Sequence, residues 1–148
     1  MTVLSRFKAS FVFEIIGEGS EKDNLVALSE SLGIKNKVRF WGELDNPFPI
    51  VGAADVFLFG SHFEGFPNVL IEAGACGTPV VAFDCQGGIN EIVEDGVNGY
   101  VVANDDFDGF EKALQKIVEK PLNRREIAKK TEQKFDISLI IKKIRSRF

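Results

Sequence analysis

The 148-residue sequence predicts an α/β protein built on a parallel, doubly wound sheet. Three observations carry that class. Short apolar runs recur along the chain without polar alternation, the pattern of strands covered on both faces. Helical spacers of about 10–15 residues separate them. Gly17, Gly42 and Gly60 close the first three runs.

The elements follow in order. Residues 11–16 are apolar except Glu14 and read as a buried strand closed by Gly17-Glu18-Gly19. Ser20 to Leu32 reads as a helix, with Ser20 as a candidate cap, Leu25, Leu28 and Leu32 at helical spacing, and Gly33 as the stop. Lys37 to Trp41 is a second strand ended by Gly42, and Pro47 to Gly52 a short helix. Asp55 to Phe59 is a third strand, followed by a loop over Gly60 to Pro67 and a helix from Asn68 to Ala75. Gly77-Thr78-Pro79 turns the chain into a strand over Val80 to Phe83, and Gly87-Gly88 leads into a short helix over Asn90 to Val93. Asp95-Gly96 and Asn98-Gly99 are turn dipeptides beside a strand at Tyr100 to Val102. Asp106 to Lys120 is an amphipathic helix with Phe107, Phe110, Leu114, Ile117 and Val118 on one face. Pro121 opens a further helical stretch, and a last one covers Ile137 to Arg147.

The length fits one domain, 1–148, with a core over 11–120 and basic C-terminal helices over 121–148. Hydrophobic residues at 45% and charged residues at 27% are ordinary for a globular protein and exclude disordered, collagenous and disulfide-scaffold classes. No apolar run approaches a membrane span, and the first ten residues lack a secretory pattern. The expectation is a cytoplasmic protein. Cys76 and Cys85 read as small buried thiols, and a single histidine leaves too few ligands for zinc.

The net charge of −4 hides an asymmetry. Residues 1–119 carry 8 basic and 19 acidic side chains, whereas residues 120–148 carry 10 basic and 3 acidic. The acidic body argues against nucleic acid as a partner. The basic tail is either a solvated helix face or a contact with anionic lipid at the inner face of a membrane.

In doubly wound sheets the ligand sits beyond the carboxyl ends of the strands. That rule selects the loops Gly17–Ser20, Gly42–Asn46, Gly60–Pro67 and Asp84–Ile89. The most informative is Gly60–Pro67, because it leaves a buried strand and runs straight into a helix. Gly65 permits close backbone approach, and Pro67-Asn68 suits a helix entry. The first-turn N–H groups near Asn68 to Leu70, with the helix dipole, predict an anion site suited to phosphate. Glu64 in the loop and Glu72 one turn into the helix could each accept hydrogen bonds from a vicinal diol. The plainer readings are a loop acid for Glu64 and a solvated helical side chain for Glu72. Asp106-Phe107-Asp108 has the spacing of a metal-binding D-x-D, but it stands where an acidic first helical turn belongs.

These residues carry a resemblance. Glu64 and Glu72 with Gly65-Phe66-Pro67-Asn68 between them, then Gly77-Thr78-Pro79-Val80-Val81-Ala82, resemble the retaining GT-B glycosyltransferases of the "group 1" family. Ile16-Gly17-Glu18-Gly19-Ser20, Val38-Arg39-Phe40-Trp41-Gly42, Ala53-Ala54-Asp55-Val56 and residues 91–99 extend it over about 11–120. The matched part is the family's C-terminal, donor-binding domain. The resemblance implies transfer of a hexosyl unit from a nucleotide sugar, UDP-sugar by default, to an acceptor hydroxyl with the anomeric configuration kept. By position, Glu64 would act at the donor sugar as the catalytic-site carboxylate. Gly65, Phe66 and Pro67 would line sugar and phosphate, and Asn68, Val69 and Leu70 would bind the diphosphate. Glu72 would hold the ribose, Gly17 and Gly19 would shape the neighbouring loop, and the chain around Phe40 to Gly42, with Trp41 and Gly42, would meet the base. No metal or other cofactor is implied, and His62 is not assigned a role.

The family has two Rossmann-like domains, and this chain is too short for both. It starts at what resembles the domain's second strand, so the usual first strand and its phosphate-binding Arg and Lys have no counterpart; Arg6 and Lys8 match neither. Three arrangements remain open: the strands at Phe11 and Asp55 pair directly, Val3-Leu4 supplies a makeshift strand, or the edges stay open. The expectation is the donor-binding half of an enzyme that is inactive alone and works with an N-terminal acceptor domain or a partner chain. The competing readings are a non-catalytic nucleotide-sugar-binding or scaffold module, and a fragment of an epimerase or sugar phosphorylase.

Overall fold

The computed structural model describes residues 1–85 and 87–136. The expected last helix over Ile137 to Arg147 lies outside them. The chain divides into two compact units, one from Met1 to Pro47 and one beginning at Phe48.

The first unit holds α1 (Thr2–Arg6), β1 (Phe13–Ile16), α2 (Lys22–Ser31), a 3-10 turn (Lys35–Lys37) and β2 (Val38–Gly42). β1 and β2 pair in parallel, Phe13 opposite Val38 and Ile15 opposite Phe40, with an irregularity between Ile15 and Ile16. Two local expectations are corrected. Ser20 does not cap α2: the cap position is Glu21, whose side chain makes no capping hydrogen bond. Val3-Leu4 is not a strand but the buried face of α1, whose five residues close with the Ser5 N–H on the Met1 carbonyl at 3.0 Å.

The second unit holds α3 (Phe48–Ala53), β3 (Phe57–Phe59), α4 (Asn68–Ala75), β4 (Val80–Asp84), α5 (Ile89–Ile92), β5 (Gly99–Ala103), α6 (Phe107–Glu119) and α7 (Arg124–Phe135). Its sheet runs β3-β4-β5, all parallel. The parallel α/β class is therefore as expected, in two sheets of two and three strands. Among the described residues β1 and β3 each stand at the edge of their own sheet.

β4 sits mid-sheet, and Val80 to Phe83 are buried without alternation, so both of its faces are covered. Val80 and Ala82 join Leu70 and Ala73 of α4 and Ile89 and Ile92 of α5 in one apolar cluster. On the opposite face Phe83 meets Phe110 of α6 at a 4.7 Å ring separation and Phe107 at 5.6 Å, edge-on. Asp106 caps α6 by accepting from the Gly109 N–H at 2.8 Å. That is the cap reading of the D-x-D spacing. The turn dipeptides behave as their side chains dictate. Asn98 accepts from the Glu94 N–H at 2.7 Å and donates to the Ile92 carbonyl at 2.9 Å, while Asp95 accepts from the Val101 N–H at 2.8 Å.

α7 fastens the back of this unit. The Arg124 guanidinium donates to the carbonyls of Gly52 and Ala54 at the end of α3 and to the Thr78 hydroxyl at 3.1 Å. Thr78 in turn donates to the Val51 carbonyl at 2.7 Å. Further along, Gly74 of α4 presents its bare Cα to Thr131, so the two helices cross closely.

Candidate nucleotide-sugar site

In the second unit the site begins where β3 ends. Glu64 is half-buried, and Pro67 is buried. Gly65, Phe66, Asn68, Val69 and Glu72 are exposed. α4 starts at Asn68, as the Pro67-Asn68 signal predicts. The first-turn donors differ from expectation. The Asn68 N–H already bonds the Phe66 carbonyl at 2.9 Å and the Leu70 N–H the Pro67 carbonyl at 3.0 Å. Of the three, Val69 alone has an N–H without a partner among the described residues. The Leu70 side chain is 1% exposed and belongs to the core. Only its backbone faces the helix start. Glu72 lies about 6 Å along the helix axis from Asn68, one turn in.

The loop after β4 closes on this region. Cys85, buried at the carboxyl end of β4, has its thiol held above its ordinary value of 9.0 by burial first. The carboxylates of Glu64 and Asp84 add to the rise, against a backbone hydrogen bond that lowers it. Glu64 therefore stands close enough to the end of β4 for its charge to be felt there. Cys85 is the buried thiol the sequence suggested, whereas Cys76 is only half-buried. Ser61 donates to the Phe63 carbonyl at 3.1 Å, which shapes the loop. His62 is exposed. Among the described residues no group of three or more His, Cys, Asp or Glu side chains could hold a metal ion.

In the first unit, the two loops that follow β1 and β2 are laced together. The Gly17 N–H donates to the Gly42 carbonyl at 2.7 Å. Both glycines have positive φ, +118° and +72°, and the Glu18 side chain fills the space beside Gly42. Gly19 is exposed, with open space around its Cα. Trp41 is 45% exposed, but its indole N–H is bound to Glu14 Oε2 at 2.6 Å. Arg39 reaches Glu14 Oε1 at 3.3 Å. Glu14 thus ties two side chains of β2, and Trp41 offers a ligand its backbone and ring face rather than its N–H.

Sequence reading missed two sets of residues that hold this site. Gly87 and Gly88 read as the lead into a short helix; the structure shows them pressed on Glu64 and Phe66. Arg124 and Thr131, which anchor α7 against α3 and α4, carry no local signal because their partners lie far away in sequence.

In this parallel α/β unit a loop-to-helix start and two carboxylates stand where doubly wound sheets bind ligands. Comparison with known proteins makes that class specific. Residues 2–134 match the family described as "Glycosyl transferases group 1". The chain belongs to the group 1 glycosyltransferases. It is similar to the lipopolysaccharide core biosynthesis glycosyltransferase LpsE of Rhizobium meliloti, 40% identical over 104 residues, covering 70% of this chain and 30% of the relative. It is 31% identical over 119 residues to the lipopolysaccharide 1,6-galactosyltransferase of Salmonella typhimurium, covering 78% of this chain and 33% of that protein. Among solved structures, the lipopolysaccharide outer core galactosyltransferase WaaB superposes with a TM-score of 0.89 at 28% identity, over 99% of this chain and 44% of that one. Anabaena HepE, solved with UDP, superposes with a TM-score of 0.87 at 26% identity, over 99% and 43%. The chain thus spans about a third of the length of these curated relatives and less than half of these solved chains. The described fold has the GT-B half-domain architecture. No helix among the described residues is long and apolar enough to cross a membrane.

Proposed function

We propose that the chain is the donor-binding half of a retaining hexosyltransferase that takes a UDP-sugar and transfers its hexosyl unit to an acceptor hydroxyl. In that reaction the anomeric C–O bond to the diphosphate breaks and UDP leaves with the electron pair. The acceptor oxygen bonds to the same carbon with its configuration kept, and its proton passes to the departing diphosphate. Glu64 is the carboxylate that meets the donor sugar. Gly65, Phe66 and Pro67 line sugar and phosphate. The start of α4 over Asn68, Val69 and Leu70, through its dipole and the Val69 N–H, faces the diphosphate. Glu72 accepts from the ribose hydroxyls. Gly17 and Gly19 shape the neighbouring loop, and Trp41 and Gly42 meet the base. No metal is needed, because helix dipole and hydrogen-bond donors carry the charge of the leaving group.

One observation carries the reading: a loop acid, a helix-start N–H without a partner among the described residues and a second acid one turn on, all at the strand end where such sheets bind ligands. Two comparisons support the donor class. HepE was solved with UDP and with UDP-glucose, and two relatives are named lipopolysaccharide 1,6-galactosyltransferases. The acceptor that fits these relatives is a saccharide of a cell-surface glycan, built at the cytoplasmic face of a membrane. Because the chain spans under half of the related enzymes, we assign acceptor binding to a further domain or a partner chain. This chain alone binds donor and does not turn it over.

Calorimetric titration with UDP, GDP and ADP tests this, alongside Glu72→Ala. Saturable binding of UDP, weakened by Glu72→Ala, is expected. No isotherm at millimolar UDP, or one that Glu72→Ala leaves unchanged, would reject the assignment. Sugar transfer by the purified chain above the level of its Glu64→Ala variant would reject its inactivity.

A further inference from the structure

The turn after β4 presses on the loop that carries Glu64. Gly87 and Gly88 both have left-handed backbone, with φ of +132° and +79°. A Cβ added at Gly87 would overlap the Glu64 carbonyl oxygen, and would lie 2.8 Å from the Glu64 carbonyl carbon and 3.1 Å from its Cβ. A Cβ at Gly88 would stand 3.1 Å and 3.2 Å from two atoms of the Phe66 ring. The turn has little freedom to retreat. The Asn90 side-chain amide donates to Asp84 at 2.8 Å, and the Lys134 ammonium bonds the Glu91 carbonyl at the end of α5. Ile89, the first residue of α5, is 1% exposed in the core.

We propose that Gly87 is a positioning residue: its bare Cα lets the turn after β4 seat on the Glu64 backbone and so sets where the Glu64 carboxylate stands. Its catalytic meaning rests on the donor-sugar role proposed for Glu64; the coupling itself does not. A side chain at Gly87 must displace the Glu64 backbone, since the overlap is with main-chain atoms rather than a flexible side-chain end. Gly88 acts in the same direction through the Phe66 ring, more weakly, because a ring can tilt.

The buried Cys85 thiol reports the position of Glu64 without any ligand, since the Glu64 carboxylate helps keep it protonated. In a Cys76→Ser background Cys85 is the sole cysteine. Its iodoacetamide alkylation rate is measured from pH 7 to 10 in four further variants: Gly87→Ala, Glu64→Gln, both together, and Gly96→Ala. Gly87→Ala and Glu64→Gln should each move the profile to lower pH. At pH 8 each should raise the rate above that of the parent. The double variant should move no further than either single one. Gly96 also has positive φ, +74°, but open space at its Cα, so Gly96→Ala should keep the parent profile. An unshifted Gly87→Ala profile would overturn the proposal. So would full additivity with Glu64→Gln, which would mean that Gly87 acts by uncovering the thiol. Should Gly87→Ala not fold, Gly88→Ala takes its place: a smaller shift that vanishes in Glu64→Gln is expected, and no shift overturns the proposal. Nucleotide titration tests the donor role separately, so the two failures are distinguishable.

Discussion

The crossing of α4 and α7 gives the sharpest stability test, because Gly74→Ala pits two effects of opposite sign. Replacing a helical glycine with alanine favours the helix by about 0.8–1.0 kcal/mol. The new Cβ would lie 2.6 Å from Thr131 Oγ1, 3.2 Å from its Cγ2 and 3.4 Å from its Cβ. Ordinary contact needs about 3.5–4.0 Å, so the helices must part by roughly 1 Å. Thr131 is only 5% exposed and has little room to yield, which places the overpacking near the upper part of the usual 1–3 kcal/mol. The net is a loss of about 1–2 kcal/mol, or a Tm lower by roughly 3–6 °C for a chain of this length. Thr131→Ala alone should lose about 1 kcal/mol through a small cavity. The double variant puts the alanine methyl where the threonine atoms were, and should return to within about 0.5 kcal/mol of the parent. Thermal and urea unfolding of the four proteins closes this double-mutant cycle. A Gly74→Ala protein as stable as the parent, or a double variant whose loss equals the sum of the singles, would refute the close crossing. Since α4 also carries Glu72, the same displacement should weaken UDP binding in Gly74→Ala and restore it in the double variant.

Three further outcomes follow from the geometry. Arg124→Met removes donors from two carbonyls and a hydroxyl and should lower stability by about 2–3 kcal/mol in urea unfolding, with Arg124→Lys recovering only part because an ammonium lacks the planar fork. Asp106→Ala should lose about 1 kcal/mol as an N-cap, and by the same amount with and without manganese; a loss confined to the manganese sample would revive the D-x-D reading. Cys85 bears on alkaline stability: its folded value is raised, so the native state holds the proton longer than the unfolded chain. The stability this gives is complete below the ordinary thiol value and falls as pH rises from there through the raised one. Urea midpoints should therefore decline more steeply above about pH 9 in the parent than in Cys85→Ala, and parallel curves would contradict the assignment.

What the sequence made legible was local. The run Val80 to Phe83 could only be a strand covered on both faces, and Pro67-Asn68 and Asp106 mark helix starts that need nothing beyond their own turn. Glu64 and Glu72 were legible for the same reason, since a strand, a loop and one helical turn place them. Errors came where a local rule met a competing one. Ser20 has the chemistry of a cap, but α2 begins two residues later and leaves it outside. Val3-Leu4 has the composition of a strand, yet five residues bury it as a helical face. The expectation of three free donors at the start of α4 failed because Phe66 and Pro67 turn their carbonyls back onto two of them. Contacts such as Gly87 on Glu64, Gly74 on Thr131 and Arg124 on Gly52 join residues 23 to 72 positions apart. No local pattern encodes them.

The charge balance of the site decides how much this chain can do alone. A diphosphate is best held by cationic donors. Yet the loops Gly60–Pro67 and Asp84–Ile89 contain no lysine or arginine, and hold Glu64 and Asp84. The start of α4 offers a dipole effect of about 0.3–1 kcal/mol when exposed. Two charge-assisted contacts of the kind the resemblance assigns to an Arg and a Lys would supply about 1.5–3 kcal/mol each. Nucleotide binding by this chain should then depend more on Glu72 and the ribose than on the phosphates, so uridine should bind nearly as well as UDP. If UDP instead binds far more tightly than uridine, and ever more so as salt is lowered, a cation already faces the phosphates and the balance drawn from these loops is wrong.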